Sequence, residues 1–321
     1  MGRLLSYSGI STKIRAMQSK LISESEIQEM LQFTSVSHAA AWLKRTPEYA
    51  KAWADLDENS LHRGQIEKLL KASIFKDFSK IYQFANPEQR KFLDLYSRRY
   101  EIRVLKEIMT NLFDHKSTDA VDVSPYCDFF RRHSKLDLDR LTACTTMDEF
   151  INALKGNEFY VPLSRIQNHD TALLFDYGMA LDLYYFSMIW NVRKKLFSGK
   201  DLEQITTAYG EKFDMLNLQF ISRSKRYFSM APADIYALLI PMNYKLKKEE
   251  ISALAGADDE KTLKELIASS AYGTLFKDDF YEMSIARYIY NMSKRFIRRY
   301  PYNYVSISSY FKIKETEIKN V

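Results

Sequence analysis

Few residues in this chain stand at spacings that could do chemistry. Its five histidines are His38, His62, His115, His133 and His169, and none falls at the His-Glu-x-x-His spacing that sets two imidazoles on one helix face for zinc. Cys127, His133 and Cys144 offer metal-ligand types close together, but no Cys-x-x-Cys accompanies them, so a metal centre is not expected. Gly199-Lys200 has Lys194 where a phosphate-cradling loop needs its first glycine. Asp176 and Asp182 share an apolar stretch and would suit a tuned acid pair. Six residues are about 600° of helix rotation, however, so the two do not share a face, and partnered or edge-exposed acids are the better reading. No catalytic set and no cofactor site emerges.

Binding chemistry is the next possibility. Lys294-Arg295-Phe296-Ile297-Arg298-Arg299-Tyr300 interleaves cations with aromatic rings, as single-strand nucleic-acid binders do. The same pattern is an amphipathic helix with Phe296 and Ile297 turned inward, and a solvated face is the leading reading. Contact of Lys294, Arg295, Arg298 and Arg299 with acidic headgroups or with loops of a membrane partner comes second, at about 1 kcal/mol per basic residue. Nucleic acid comes last, because pairs such as Arg98-Arg99 and Arg131-Arg132 are scattered and a net charge of +6 is mild. Met1-Gly2 with Ser6 formally matches a myristoyl acceptor, a short motif of low specificity.

The elements that must position these residues read as helices. The chain holds 9 Gly and 7 Pro in 321 residues, about 5%, against roughly 12% in ordinary globular chains. So few breakers leave little material for hairpins or glycine loops. Residues 88–112 carry an apolar stripe at helical period, and Asp258-Asp259 is a cap signal for a helix over 259–270. The best period-two alternation, residues 305–309, is too short to build a sheet. Turn signals stand at Asn86-Pro87, Ser198-Gly199, Ala231-Pro232 and Ile240-Pro241. Residues 171–192 are the most apolar stretch, and Asp176 and Asp182 within it argue for a core helix over a membrane span. No signal-peptide pattern opens the chain, and two cysteines fit a reducing compartment. With 46% hydrophobic and 14% aromatic residues, a sizeable core is expected.

An internal repeat organises this helical material. Leucine is followed six residues later by tyrosine at Leu43/Tyr49, Leu154/Tyr160 and Leu266/Tyr272, in steps of 111 and 112 residues. Another leucine precedes each pair, at Leu31, Leu141 and Leu254, with a cap signal between at Thr34-Ser35, Thr145-Thr146 and Asp258-Asp259. A second pattern closes each copy: Glu101-Ile-Arg-Val104-Leu105, Asp214-Met-Leu-Asn217-Leu218 and Glu317-Ile-Lys-Asn320-Val321. Three homologous helical domains are expected, over 1–118, 119–229 and 230–321, the last helix looking cut short beside the other two.

Three stretches carry a family resemblance. Tyr7-Ser-Gly-Ile-Ser-Thr-Lys-Ile-Arg15-Ala-Met-Gln-Ser-Lys-Leu21 resembles the opening of the C subunit of V/A-type ATPases, the family that includes the d subunit of the vacuolar proton pump. Ser306-Ile-Ser-Ser-Tyr310-Phe-Lys-Ile-Lys-Glu315-Thr-Glu317-Ile-Lys-Asn320 is similar to that family's most specific stretch, a Tyr leading into Lys-Glu-x-Glu-Ile-x-Asn. Asp214-Met-Leu-Asn217-Leu218, followed by Arg223 and Lys225, is similar as well, and Val104 departs from the family's usual Asn.

The resemblance implies an all-α fold of three similar domains in a pseudo-threefold funnel. It implies a non-catalytic rotor adaptor without cofactors, peripheral on the cytoplasmic side of the membrane. Its partners would be the D and F shaft subunits and the membrane proteolipid ring, between which it carries torque for ion transport. Glu101, Asp214, Asn217, Glu317 and Asn320 either border a socket for the shaft or cap neighbouring helices. The alternative reading of the whole is a free-standing helical-repeat scaffold that binds other proteins in solution.

Overall fold

Local signals in the sequence set where several of the helices start. The computed structural model describes residues 2–114, 123–124, 126–167, 172–275 and 281–321. Met1 of the acyl-acceptor match, His115, His169, Thr171 and the 118/119 boundary lie outside them. Ser35, Thr146 and Asp259, one from each expected copy, accept from the backbone N–H groups of His38, Glu149 and Thr262 at 3.1, 3.2 and 2.7 Å. Each satisfies an amide that the first turn leaves without a partner, which is worth about 1 kcal/mol. Asn86 caps Gln89 at 2.9 Å with Pro87 in the first turn, where its missing N–H costs nothing. Gly199 turns the chain with φ +51, in the region that favours glycine.

In chain order the helices are α1 Gly2–Gln18, α2 Glu24–Met30, α3 Val36–Arg45, α4 Ala50–Trp53, α5 Arg63–Phe84 and α6 Pro87–Phe113. Then follow α7 Cys127–His133, α8 Leu138–Thr142, α9 Met147–Ala153, α10 Tyr160–Gln167, α11 Leu174–Leu196 and α12 Gly199–Phe228. The last are α13 Pro232–Leu238, α14 Lys248–Gly256, α15 Glu260–Ser269, α16 Tyr281–Arg299 and α17 Tyr304–Asn320. A 3-10 turn at Gly273–Leu275 stands between α15 and α16. No strand occurs among the described residues, so the fold is all-α. No described helix is long and apolar enough to cross a membrane. The element order recurs: short helices lead each time into a long pair, α5–α6, α11–α12 and α16–α17.

Residues 305–309, the best alternating stretch, lie in α17 instead of in a strand. Residues 303–307 are all buried, so the apolar and polar residues there do not mark two faces. Asp176 closes the start of α11 by accepting from Leu173 N–H at 2.8 Å, the edge role expected of it.

Contacts group the chain into two compact units, residues 1–170 with 296–321, and residues 171–295. In the first, α17 packs on α1, α5 and α6. Phe311 is fully buried and faces Phe78, Tyr96 and Tyr100 at ring distances of 5.7, 5.3 and 6.3 Å. A second cluster joins Ile22, Leu43, Tyr49, Trp53 and Leu70, with Ile318 of α17 against it. Each fully buried ring or aliphatic side chain supplies about 1.5–3 kcal/mol of transfer free energy. In the other unit α11 and α12 pair, and Phe213 lies between Phe186, Trp190 and Tyr209. There Tyr244 lies so close on Gly210 of α12 that a Cβ would stand 2.4 Å from its ring carbon.

Candidate functional site

The acids that close the repeat patterns sit on the long helices α6, α12 and α17. Each has a charged residue one helical turn before it: Arg98 before Glu101, Glu211 before Asp214, Lys314 before Glu317. That spacing sets both side chains on one face. All three acids are buried, and each carboxylate is used inside the chain.

Asp214 of α12 is fully buried. Its Oδ2 accepts from the N–H of Lys245 at 2.8 Å, the N–H of Leu246 at 3.2 Å and the hydroxyl of Tyr272 at 2.8 Å. Its Oδ1 accepts from the N–H of Tyr244 at 3.3 Å. Burial pushes the carboxyl above the ordinary aspartate range, and these four donors pull the other way. One turn on, Asn217 donates from Nδ2 to Ile240 O at 3.0 Å and accepts from Ile240 N–H at 2.9 Å. Together they pin the 240–246 segment, which links α13 to α14, onto α12. Glu211 faces Lys245 Nζ at 2.7 Å, the Tyr288 hydroxyl at 2.7 Å and Arg295 at 3.5 Å.

Glu317 of α17 does the same at the other end of the sequence. Oε2 accepts from the N–H of Ile22 at 2.6 Å, and Oε1 from the hydroxyl of Tyr49 at 2.6 Å. Lys314 donates to Glu317 at 2.8 Å and to the Tyr49 oxygen at 2.7 Å. Glu101 of α6 is held by Arg98 at 3.2 Å, and Arg98 also reaches Glu158 at 2.6 Å. Burial raises the Glu101 carboxyl, against Arg98 and the Ser134 hydroxyl.

In terms of the three expected copies, Glu101 of the first meets Ser134 after α7 of the second, Asp214 of the second meets residues 244–246 and Tyr272 of the third, and Glu317 of the third meets Ile22 and Tyr49 of the first. Tyr49 and Tyr272, markers of the repeat in the sequence, are thus the hydroxyl donors to two of the closing acids.

The second copy departs from its expected register. The fully buried ring there is Phe159, while Tyr160 is half-buried, so Leu154 pairs with a ring five residues on that has no hydroxyl. In the third copy the buried aliphatic residue is Ile267 and Leu266 is half-buried. Arg98 then serves Glu101 where a tyrosine serves the other two acids.

Val104, which stands at the position of Asn217, is fully buried and apolar. Asn320 is exposed at the end of α17. Lys294, Arg295, Arg298 and Arg299 are exposed on α16 while Phe296 and Ile297 are buried, so the run is an amphipathic helix face. Lys294 lies over the Tyr290 ring at 4.6 Å, Arg299 over Tyr300 at 5.5 Å, and Arg295 shares Glu211. Cys127 and Cys144 donate to the carbonyls of Val123 and Arg140 at 3.3 and 3.4 Å. Among the described residues no three His, Cys, Asp or Glu side chains gather where a metal would be held.

The charged residues one turn before each acid had no role assigned from the sequence. Neither had Glu315, which accepts from Arg99 at 2.8 Å and faces Arg103 at 3.6 Å, joining α17 to α6, although Lys314 and Glu315 both stand in the Lys-Glu-x-Glu stretch. The available signal was a charge at the third residue before each closing acid.

The family model described as ATP synthase (C/AC39) subunit matches residues 10–321. The A-type ATP synthase C subunit of Methanosphaera stadtmanae is 22% identical, over 98% of this chain and 82% of its own length. The same-named proteins of Methanocaldococcus jannaschii and Pyrococcus horikoshii are 19% and 24% identical, over 99% and 98% of this chain and 82% and 84% of theirs.

Proposed function

Since the chain belongs to the ATP synthase C/AC39 subunit family, we propose that it works as a structural, non-catalytic subunit of a rotary ATPase and links the central shaft to the membrane ring. The shaft is the pair of D and F subunits, and the ring is the proteolipid rotor that carries the ions. The chain sits at the membrane peripherally, on the cytoplasmic side, through that ring. Torque is its cargo, and torque asks for a body that does not unwind between its two partners.

The observation that carries this reading is the family match over residues 10–321. The cyclic order of the acid contacts supports the mechanical part. A closing helix anchored on the next copy, with the last anchored on the first, supports three domains over 1–118, 119–229 and 230–321 in a pseudo-threefold funnel. In such a body Glu101, Asp214, Asn217 and Glu317 are positioning residues. They hold the segments around each long helix, while helix ends and exposed groups such as Asn320 meet the shaft. Unpaired backbone groups and end dipoles at those helix ends offer polar contacts to a shaft helix. Lys294, Arg298 and Arg299 suit contact with acidic headgroups or ring loops, a contact that salt would weaken.

Titration of the purified chain with the D–F pair tests the link to the shaft. Saturable binding is expected, and Asn320→Lys should weaken it at least threefold with helical content unchanged. No binding of D–F to the folded chain would contradict the link.

A further inference from the structure

The joint at α17 holds a group of charges whose count does not balance. Around Glu317 stand the carboxylates of Glu48 and Asp77 and the ammoniums of Lys80 and Lys314, three acids against two cations. Lys314 is fully buried and lies 2.8 Å from Glu317. Lys80 lies 3.0 Å from Asp77, which also accepts from the Tyr310 hydroxyl at 2.6 Å. Each ammonium is therefore committed to a different carboxylate. Glu48 is left with Lys314 at 3.7 Å, although its side chain is only 4% exposed. A buried acid with the weakest partner of three is the one that keeps a proton.

A way out for this side chain is also present. Glu48 lines an open cavity of ≈ 870 Å³ between the 46–53 corner, α5 and α7. Asp77 and Asp128 are the other acids on its wall. The cations Lys51, Lys68, Lys76, Lys80 and Arg132 outnumber them, so an ionised Glu48 finds cations as well as water there.

We propose that Glu48 is a proton-operated latch between the 46–53 corner and α17. Protonated, it stays packed beside Lys314. Ionised, it turns into the cavity and loosens Tyr49 and Trp53 from the helix. Burial, then the charges of Asp77 and Glu317, raise its carboxyl to about 7 against the pull of Lys314 and Lys80. In the unfolded chain the same group titrates near 4.5. The folded form thus binds more protons between these values, and the stability it confers is lost as pH rises through about 7.

The test compares the full wild-type chain with Glu48→Gln, which imitates the protonated side chain, from pH 5 to pH 8. Subtracting the two melting curves cancels the groups that do not interact with Glu48, Glu101 and Asp214 among them, and leaves the titration of Glu48 with its neighbours Asp77, Glu317, Lys80 and Lys314. The melting temperature of the variant, minus that of wild type, should grow by about 3 °C or more over this range. Glu48→Ala cannot titrate either, and its difference from wild type should move the same way. With Trp53 as the sole tryptophan (Trp42→Phe, Trp190→Phe), acrylamide quenching should rise with pH in the chain that keeps Glu48 and stay flat in the one that also carries Glu48→Gln. Differences that stay constant with pH, or quenching that rises equally in both chains, would overturn the latch.

Discussion

Asp214 is fully buried and its oxygens hold three backbone N–H groups and the Tyr272 hydroxyl. Removing one donor leaves a buried carboxylate short of a charge-assisted bond, a loss of about 1.5–3 kcal/mol. Tyr272→Phe should therefore lower the urea midpoint by that equivalent, and Tyr49→Phe should cost as much through Glu317. A cost below about 0.5 kcal/mol in both would show that these hydroxyls do not hold the joints. Asp214→Lys sets an ammonium beside the Lys245 amide in a site without room for hydration, so general destabilisation is expected ahead of any selective effect on a partner. Glu101 is held by Arg98 and the Ser134 hydroxyl, with no tyrosine among its partners. The sequence showed the acids as a repeated pattern, and their burial was not legible there. Glu317 and the Ile22 amide are 295 positions apart, and no spacing rule spans that distance.

At the scale of helices, much of the fold was legible because caps are local. Ser35, Thr146 and Asp259 each act on an amide three residues away, so the sequence places them without knowledge of the tertiary fold. The register of the second and third copies was not legible, since a one-residue slip leaves composition unchanged and moves the buried position from Tyr160 to Phe159. Close approaches were invisible for the same reason. Gly210 reads as an ordinary helix glycine, yet the Tyr244 ring occupies the space of its absent Cβ. Gly210→Ala should raise intrinsic helix propensity and still destabilise by about 1–3 kcal/mol, because the Tyr244 ring must move away from α12 and draw with it the segment that Asp214 holds. A circular-dichroism melt checks this, and a variant as stable as wild type would mean that the 240–246 segment is free to shift.

On the whole-molecule scale, few breakers, long paired helices and acids that reach into the following copy fit a body built to transmit force. Helices α1 and α17 pack together within one unit, so both are structural parts of its core. That arrangement gives the Glu48 joint a particular place, because it fastens α17 to the first copy. The proposed link between shaft and ring is tested by affinity purification of the tagged chain from a detergent extract of its own membranes. The adaptor reading predicts that the D and F subunits and the proteolipid ring come down together with it. Recovery with soluble partners alone, and neither shaft nor ring, would contradict it and favour a free-standing helical scaffold.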